Sequence, residues 1–334
     1  MKTTVLLINL GTPDSPKTWD VRKYLSEFLN DSRVIDLPWL TRKLLVNLII
    51  VPFRSPKSVT LYKEIWTSDG SPLLTNSKKL KNALQKELNE SYVVELAMRY
   101  GNPNLKNVLH QIVKQQPDRI ILFPLYPQYA SSTTGSSLEK AIQIISKWKQ
   151  IPKIKMIHHF HDHPGFIDSF AQRIKHYKPQ SYDHIIMSYH GLPINQVVEA
   201  HSGNSCETIG CFYKKTEQNN YCYLASCYET TRLLAEKLNL QEKDYTVCFQ
   251  SRLSKSWITP FTDEVVMDLA KNGSKRLLVI SPAFVADCLE TNHELGKELK
   301  ERFEQNGGEE LTLVESLNDL PQWVEALAGM VREL

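Results

Sequence analysis

Short runs of Val, Ile and Leu alternate along this chain with longer stretches whose apolar positions recur at helical spacing. Residues 5–10 (VLLINL) are apolar but for Asn9, the mark of a strand buried on both faces, and stop at Gly11-Thr12-Pro13. Residues 20–29 and 77–89 read as helices, the second with Lys and Glu on its outer face. Strands are expected at 92–98, 119–124 and 153–158, with helices at 103–115 and 137–149 between them. The second half repeats the rhythm, with strands at 182–188, 245–249, 276–281 and 311–314. Helices at 229–238, 263–272, 289–305 and 320–334 alternate with them. Alternating strand and helix predicts parallel sheets joined by right-handed crossovers. A chain of 334 residues exceeds one small core. The expected architecture is therefore α/β, with two Rossmann-like domains at 1–165 and 166–334, parallel sheets flanked by helices and a cleft between the domains. Pro164, Pro179 and a polar stretch interrupt the pattern near that boundary.

In open parallel sheets, ligands bind beyond the carboxyl ends of the strands. Four clusters fall at such ends: Gly11-Thr12-Pro13, the run 124–129 (PLYPQY), His190-Gly191-Leu192-Pro193 and Pro282-Ala283-Phe284. The chain has no Gly-x-Gly-x-x-Gly and no phosphate-cradling Gly-Lys-Ser/Thr loop, so no nucleotide is expected. Composition is that of an ordinary globular protein, 42% hydrophobic and 23% charged. The net charge is +3 and no basic stripe is visible, so no nucleic-acid partner is expected. The N-terminal apolar run is too short for a signal peptide, which makes the cytoplasm the default compartment. Residues 44–53 (LLVNLIIVPF) are about half a membrane span and contain Asn47 and Pro52. They read either as a buried helix end or as an apolar lip touching a membrane or a greasy ligand. The chain stops at Leu334 soon after its last expected helix, so no long C-terminal extension with a further cofactor site or anchor is expected.

His190 stands at the end of a buried strand and is held by a Gly-Leu-Pro turn. That place suits a general base or a metal ligand, and equally a structural histidine at a turn. Asp287 and Glu290 have the spacing of a capping box at a helix start. With Glu294 they also stand at i, i+3 and i+7, a row of acids on one helical face that suits protons or a divalent cation. Six cysteines are present, and in a reducing compartment they do not predict disulfides. Four of them, Cys206, Cys211, Cys222 and Cys227, form a Cys-x4-Cys-x10-Cys-x4-Cys segment within 203–228. Such thiolate pairs hold zinc or an iron–sulfur cluster, the cluster being the first reading and zinc the second; free or paired thiols are the remaining reading.

Several motifs occur in one order across nearly the whole chain: Asn9-Leu10-Gly11-Thr12-Pro13, Arg54-Ser55-Pro56-Lys57, Gly70-Ser71-Pro72-Leu73 and Arg99-Tyr100. They continue through 124–137 (PLYPQYASSTTGSS), 188–193 (SYHGLP), 249–252 (FQSR), Trp257 and 287–291 (DCLET). In this order they resemble ferrochelatases, the lyase-class metal chelatases that put ferrous iron into a porphyrin. The resemblance implies a two-domain enzyme holding the porphyrin in the interdomain cleft. It implies His190 and Glu290 as catalytic pair and contacts of the Fe²⁺ substrate, with Asp287 and Glu294 continuing an acidic path. Leu10, Arg99, Tyr100, Tyr129, Ser136 and Trp257 would position the macrocycle. Many relatives have a histidine before the glutamate where this chain has Cys288. Some relatives carry a [2Fe–2S] cluster, in cases bound by an internal Cys-rich segment such as 203–228. Protoporphyrin IX is the expected substrate, haem formation the expected role and peripheral membrane contact a further expectation. The alternatives are coproporphyrin or another metal or tetrapyrrole, a non-catalytic porphyrin or iron carrier, and a redox or iron sensor built on the four cysteines.

Overall fold

The structure, a computed structural model, describes residues 2–201 and 203–334. The chain divides into two compact units. The first holds the chain up to Tyr126 together with Ser131–His158 and Val324–Leu334; the second holds Pro127–Ala130 and His159–Trp323.

The first unit is built on a four-stranded parallel sheet of β1 (Thr3–Thr12), β2 (Tyr92–Gly101), β3 (Arg119–Pro124) and β4 (Lys153–Met156). Its order is β2-β1-β3-β4. Val5, Leu6, Leu7 and Ile8 are wholly buried in β1, as a strand covered on both faces requires. The helix Leu105–Lys114 buries Leu105, Val108, Leu109 and Ile112, an i, i+3, i+4, i+7 stripe that seats it on the sheet beside Leu6, Ile8 and Leu122. At the end of β1, Gly11 has φ +116°, and a Cβ there would lie 1.7 Å from the Tyr100 carbonyl oxygen of β2. Only glycine lets these two backbones approach so closely.

The second unit repeats the winding with β5 (His184–His190), β6 (Tyr245–Gln250), β7 (Arg276–Ile280) and β8 (Glu310–Leu313), ordered β6-β5-β7-β8 and all parallel. Val266, Leu299 and Phe303 from its helices pack on Ile186, Leu277 and Val279 of the sheet. In both sheets the chain leaves the central strand to one side and returns on the other. That puts the topological switch point between β1 and β3, and between β5 and β7.

Three local differences from the sequence expectation have plain causes. β5 runs two residues further than expected, because Gln250 of β6 pairs with His190 and carries the ladder to its end. Pro164 opens a helix, Pro164–Lys175, rather than breaking one: proline sits in its first turn and His163 Nδ1 accepts the Gly165 N–H at 3.1 Å. Residues 44–53 belong to one long helix, Trp39–Ile65, and are not a buried end. That helix buries Val46, Val51, Val59 and Tyr62, and Asn47 accepts hydrogen bonds from Ser26 and Asn30 on the same side. Its other side leaves Leu40, Leu44, Leu48 and Phe53 exposed, Phe53 by 81%. By length and composition the helix could also cross a membrane.

Candidate active site and metal centre

His190 is the last residue of β5, at the carboxyl end beside the switch point. Its Nδ1 lies 2.6 Å from the Gly191 carbonyl oxygen, an atom that can only accept. Nδ1 therefore carries the ring proton, and the Nε2 lone pair is left for a proton or a metal. Gly191 is a close-approach glycine, since a Cβ there would meet the Gln250 carbonyl at 2.8 Å and the Trp257 ring at 3.1 Å. Trp257 and Phe284 flank the imidazole, with centroids at 6.3 and 6.4 Å. Tyr223 holds the strand end in place by donating its hydroxyl to the His190 carbonyl at 2.8 Å.

Glu290 and Glu294 lie in the first turns of a helix wound in π fashion, Glu290–Glu298, which continues to Gln305. A π-wound stretch in a helix often marks a functional site. Glu294 accepts from the Ser251 backbone N–H at 2.7 Å and from its hydroxyl at 2.5 Å. Burial pushes the Glu294 carboxyl above the ordinary range and the Glu290 charge adds to this; Ser251 and His190 pull it down. His190 and Glu290 are thus each within electrostatic reach of Glu294.

Asp287 departs from expectation. Its carboxylate accepts from the Ser316 N–H at 3.0 Å and the Asn318 amide at 2.7 Å, and Asn318 in turn accepts the Asp287 N–H. These bonds tie the loop after β7 to the loop after β8 through the Asp287 carboxylate. Cys288 is buried and its thiol pushed well above its usual range by burial, so it does not replace an imidazole beside Glu290.

In the first unit, Leu10 is half-buried at the end of β1. Arg99, Tyr100 and Ser136 are brought together, but by a residue the sequence did not single out. Asp31 accepts from Tyr100 at 2.8 Å, from Ser136 at 2.6 Å and from Arg99. Arg99 Nε also donates to the Ser136 hydroxyl at 2.7 Å. Burial alone would raise the Asp31 carboxyl; Ser136, the Arg33 N–H, the Arg99 charge and Tyr100 hold it below its usual range. Tyr100 and Ser136 are almost fully enclosed, so the group braces the carboxyl end of β2. Asp31 lies 68 residues from Arg99, and no local pattern announces that pairing. Tyr129, in the second unit, packs edge-on against Tyr221 at 5.5 Å.

The Cys-rich segment gathers a different quartet from the expected one. Ligand atoms of His201, Cys206, Cys211 and Cys222 all lie within 4.8 Å of one another, and Cys227 is not among them. Cys227 points from the first turns of the helix Tyr223–Leu238 into a fully buried environment that pushes its thiol up. Cys222 instead precedes that helix and turns toward the loop. The missed signal was spacing: His201 stands five residues before Cys206, repeating the x4 interval of the cysteines. Three thiols and an imidazole suit a borderline or soft transition metal.

Comparison with known proteins agrees with the strand-end motifs. The family profile described as ferrochelatase matches residues 2–334. The chain belongs to the ferrochelatase family. It is 42% identical over 335 residues to the ferrochelatase of Legionella pneumophila (strain Lens), covering 100% of this chain and 99% of that one. It is 41% identical over 342 residues to the ferrochelatase of Coxiella burnetii (strain CbuK_Q154), covering 99% of this chain and 94% of that one. SirB from Bacillus subtilis, solved with Fe³⁺, superposes with a TM-score of 0.57 at 14% identity, covering 100% of this chain and 95% of that one. A cobalt complex of SirB, named there a sirohydrochlorin chelatase, gives 0.56 at 12% identity with the same coverage. The structural likeness shows a shared chelatase fold, and the sequence likeness shows the family.

A second donor group in this ferrochelatase-family chain, His159, His161 and Asp162, behaves differently from the Cys-rich quartet. His161 Nε2 accepts from the Lys215 ammonium at 2.9 Å, which fixes a neutral ring with its proton on Nδ1. Burial first, and then the Lys215 charge, push the His161 pKa from 6.5 down to about 3. The unfolded chain takes up this proton near 6.5 and the folded chain refuses it until about 3. The resulting stability is complete above 6.5 and is lost as pH falls through that window. In a series of melting curves, the wild type should lose stability relative to His161→Gln as pH drops from 6.5 to 4. Parallel curves for the two proteins would show that His161 is not held neutral by the fold.

Proposed function

We propose that this chain inserts Fe²⁺ into protoporphyrin IX to form protohaem, with His190 and the Glu290/Glu294 pair as the working groups. The observation that carries the reading is His190 Nε2, left with its lone pair at a strand-end switch point within electrostatic reach of Glu294, in a chain of the ferrochelatase family.

Metallation releases two pyrrole N–H protons and exchanges them for one divalent ion. His190 Nε2 accepts one proton as the metal arrives, with the Nδ1–Gly191 bond keeping the ring in the receptive tautomer. Glu294 has its proton affinity raised by burial, which suits a carboxylate to take the second proton and pass it outward. Glu290 is the carboxylate left to meet the Fe²⁺ substrate. Asp287 is a positioning residue for the turn that leads into Glu290. In the second unit the aromatic surface of Tyr129 and Trp257 suits a flat ring; in the first unit Leu10 offers apolar surface and the Asp31 group braces Arg99, Tyr100 and Ser136. The exposed apolar side of Trp39–Ile65 suits contact with the ring or with the lipid surface that delivers it. The thiol–imidazole quartet is a separate metal centre with no part in proton transfer.

The substrate is tested by parallel anaerobic assays with Fe²⁺ and either protoporphyrin IX or coproporphyrin III. A higher kcat/KM for protoporphyrin IX is expected. A clear preference for coproporphyrin III would replace that substrate and leave the residue roles standing.

A further inference from the structure

We propose that His201, Cys206, Cys211 and Cys222 bind a single tetrahedral divalent ion of the zinc class, and that the segment does not hold a [2Fe–2S] cluster. The claim concerns a metal centre apart from His190 and stands whether or not the chain metallates porphyrin.

Geometry comes first. Around one ion with metal–sulfur and metal–nitrogen distances of about 2.3 and 2.0 Å, tetrahedral edges are about 3.8 Å between sulfurs and about 3.5 Å from sulfur to nitrogen. Cys206 Sγ and Cys222 Sγ are 3.9 Å apart, and Cys211 Sγ is 3.3 Å from His201 Nε2. All remaining pairs also close within 4.8 Å. A two-iron cluster divides its four ligands between two metal atoms, so ligands on opposite irons stand much farther apart than the edge of one tetrahedron. The quartet has no such division into two separated pairs.

The imidazole is prepared for the role. His201 Nδ1 faces the Asn204 carbonyl oxygen at 3.3 Å, a bond that places the proton on Nδ1 and turns the Nε2 lone pair toward the thiols. Cys206 opens a short turn capped by Ser205, and Gly210, in the left-handed region at φ +75°, brings Cys211 back under it.

Apart from Phe212 edge-on to Tyr228 and the Lys215 bonds to His161 and Ser226, the segment is sparsely packed. From 203 to 221 only Cys206, Cys211 and Asn219 are buried, while Tyr213 and Tyr221 are exposed by 84% and 54%. A loop that buries thiols and no aliphatic or aromatic side chain has no hydrophobic core of its own, and a bound metal supplies that folding energy instead. Its closing ligand is well placed to matter elsewhere. Tyr221, before Cys222, packs on Tyr129, and Tyr223, after it, bonds the His190 carbonyl. The ion therefore holds two contacts of the proposed porphyrin site through one residue.

The test uses the full chain purified from metal-replete medium, with metal and acid-labile sulfide measured per chain. About one zinc and no sulfide are expected, held equally by wild type, His190→Ala and Cys227→Ser. Cys211→Ser and His201→Ala should fall to under about a tenth of that zinc, and His201→Cys, which restores a fourth donor, should recover it. Cobalt put in place of zinc should give tetrahedral visible bands with thiolate charge transfer in the wild type and in Cys227→Ser. Removing the ion should open residues 203–222 to rapid amide exchange. Iron with stoichiometric sulfide, loss of the metal in Cys227→Ser, or a metal-free chain whose 203–222 segment remains protected would each overturn the proposal.

Discussion

Replacing His190 by alanine should lower kcat for iron insertion by about 10²–10⁴-fold while porphyrin binding changes little. The imidazole is the acceptor at the site, its Nδ1 committed to Gly191 and its Nε2 open. Glu294 takes the second proton and so cannot also take the first. The variant should fold, because the β5 end is held by the backbone pairing with Gln250 and by Tyr223 bonding the His190 carbonyl, not by the ring. Added imidazole should restore part of the rate. A fall of less than about tenfold would assign proton removal to another group.

Asp31 carries the largest expected effect on stability. Changing it to alanine leaves Arg99, whose side chain is 13% exposed, without its anion, and strips an acceptor from Tyr100 and Ser136. Removing one partner of a buried ion pair costs about 3–5 kcal/mol, chiefly because the remaining charge stays buried. Asp31→Asn keeps an acceptor oxygen and should cost less. The midpoint of urea unfolding checks both, and a loss below about 1 kcal/mol in Asp31→Ala would mean that water reaches Arg99 and screens it. Catalysis in these variants should suffer through the slackened end of β2, where Arg99 and Tyr100 stand.

The sheets were legible because their central strands β1, β3, β5 and β7 are almost wholly buried and rich in Val, Ile and Leu, so those short apolar runs could be only core. Their alternation with helices then gave the parallel winding. His190 was legible for the same reason, as the polar residue ending such a run. Asp287 misled because capping spacing is local, while its real partners, Ser316 and Asn318, arrive from the next strand's loop. Asp31 was invisible for the converse reason: only the fold sets it beside Arg99 and Tyr100. For residues 44–53 the pattern leaves both a buried helix end and an exposed apolar lip open, because only the fold shows that the helix Trp39–Ile65 turns Asn47 inward to Ser26 and leaves Leu48 and Phe53 outside. At the Cys-rich segment, counting cysteines hid His201, which shares their spacing and displaces Cys227 from the quartet.

The most direct test of the central claim is the anaerobic reaction of the purified chain with Fe²⁺ and protoporphyrin IX, followed by loss of porphyrin fluorescence and growth of the haem absorption. The account predicts metallation far above the rate without protein, with that excess nearly abolished in His190→Ala. Porphyrin that binds but stays unmetallated in the presence of Fe²⁺ would contradict it and make the chain a carrier.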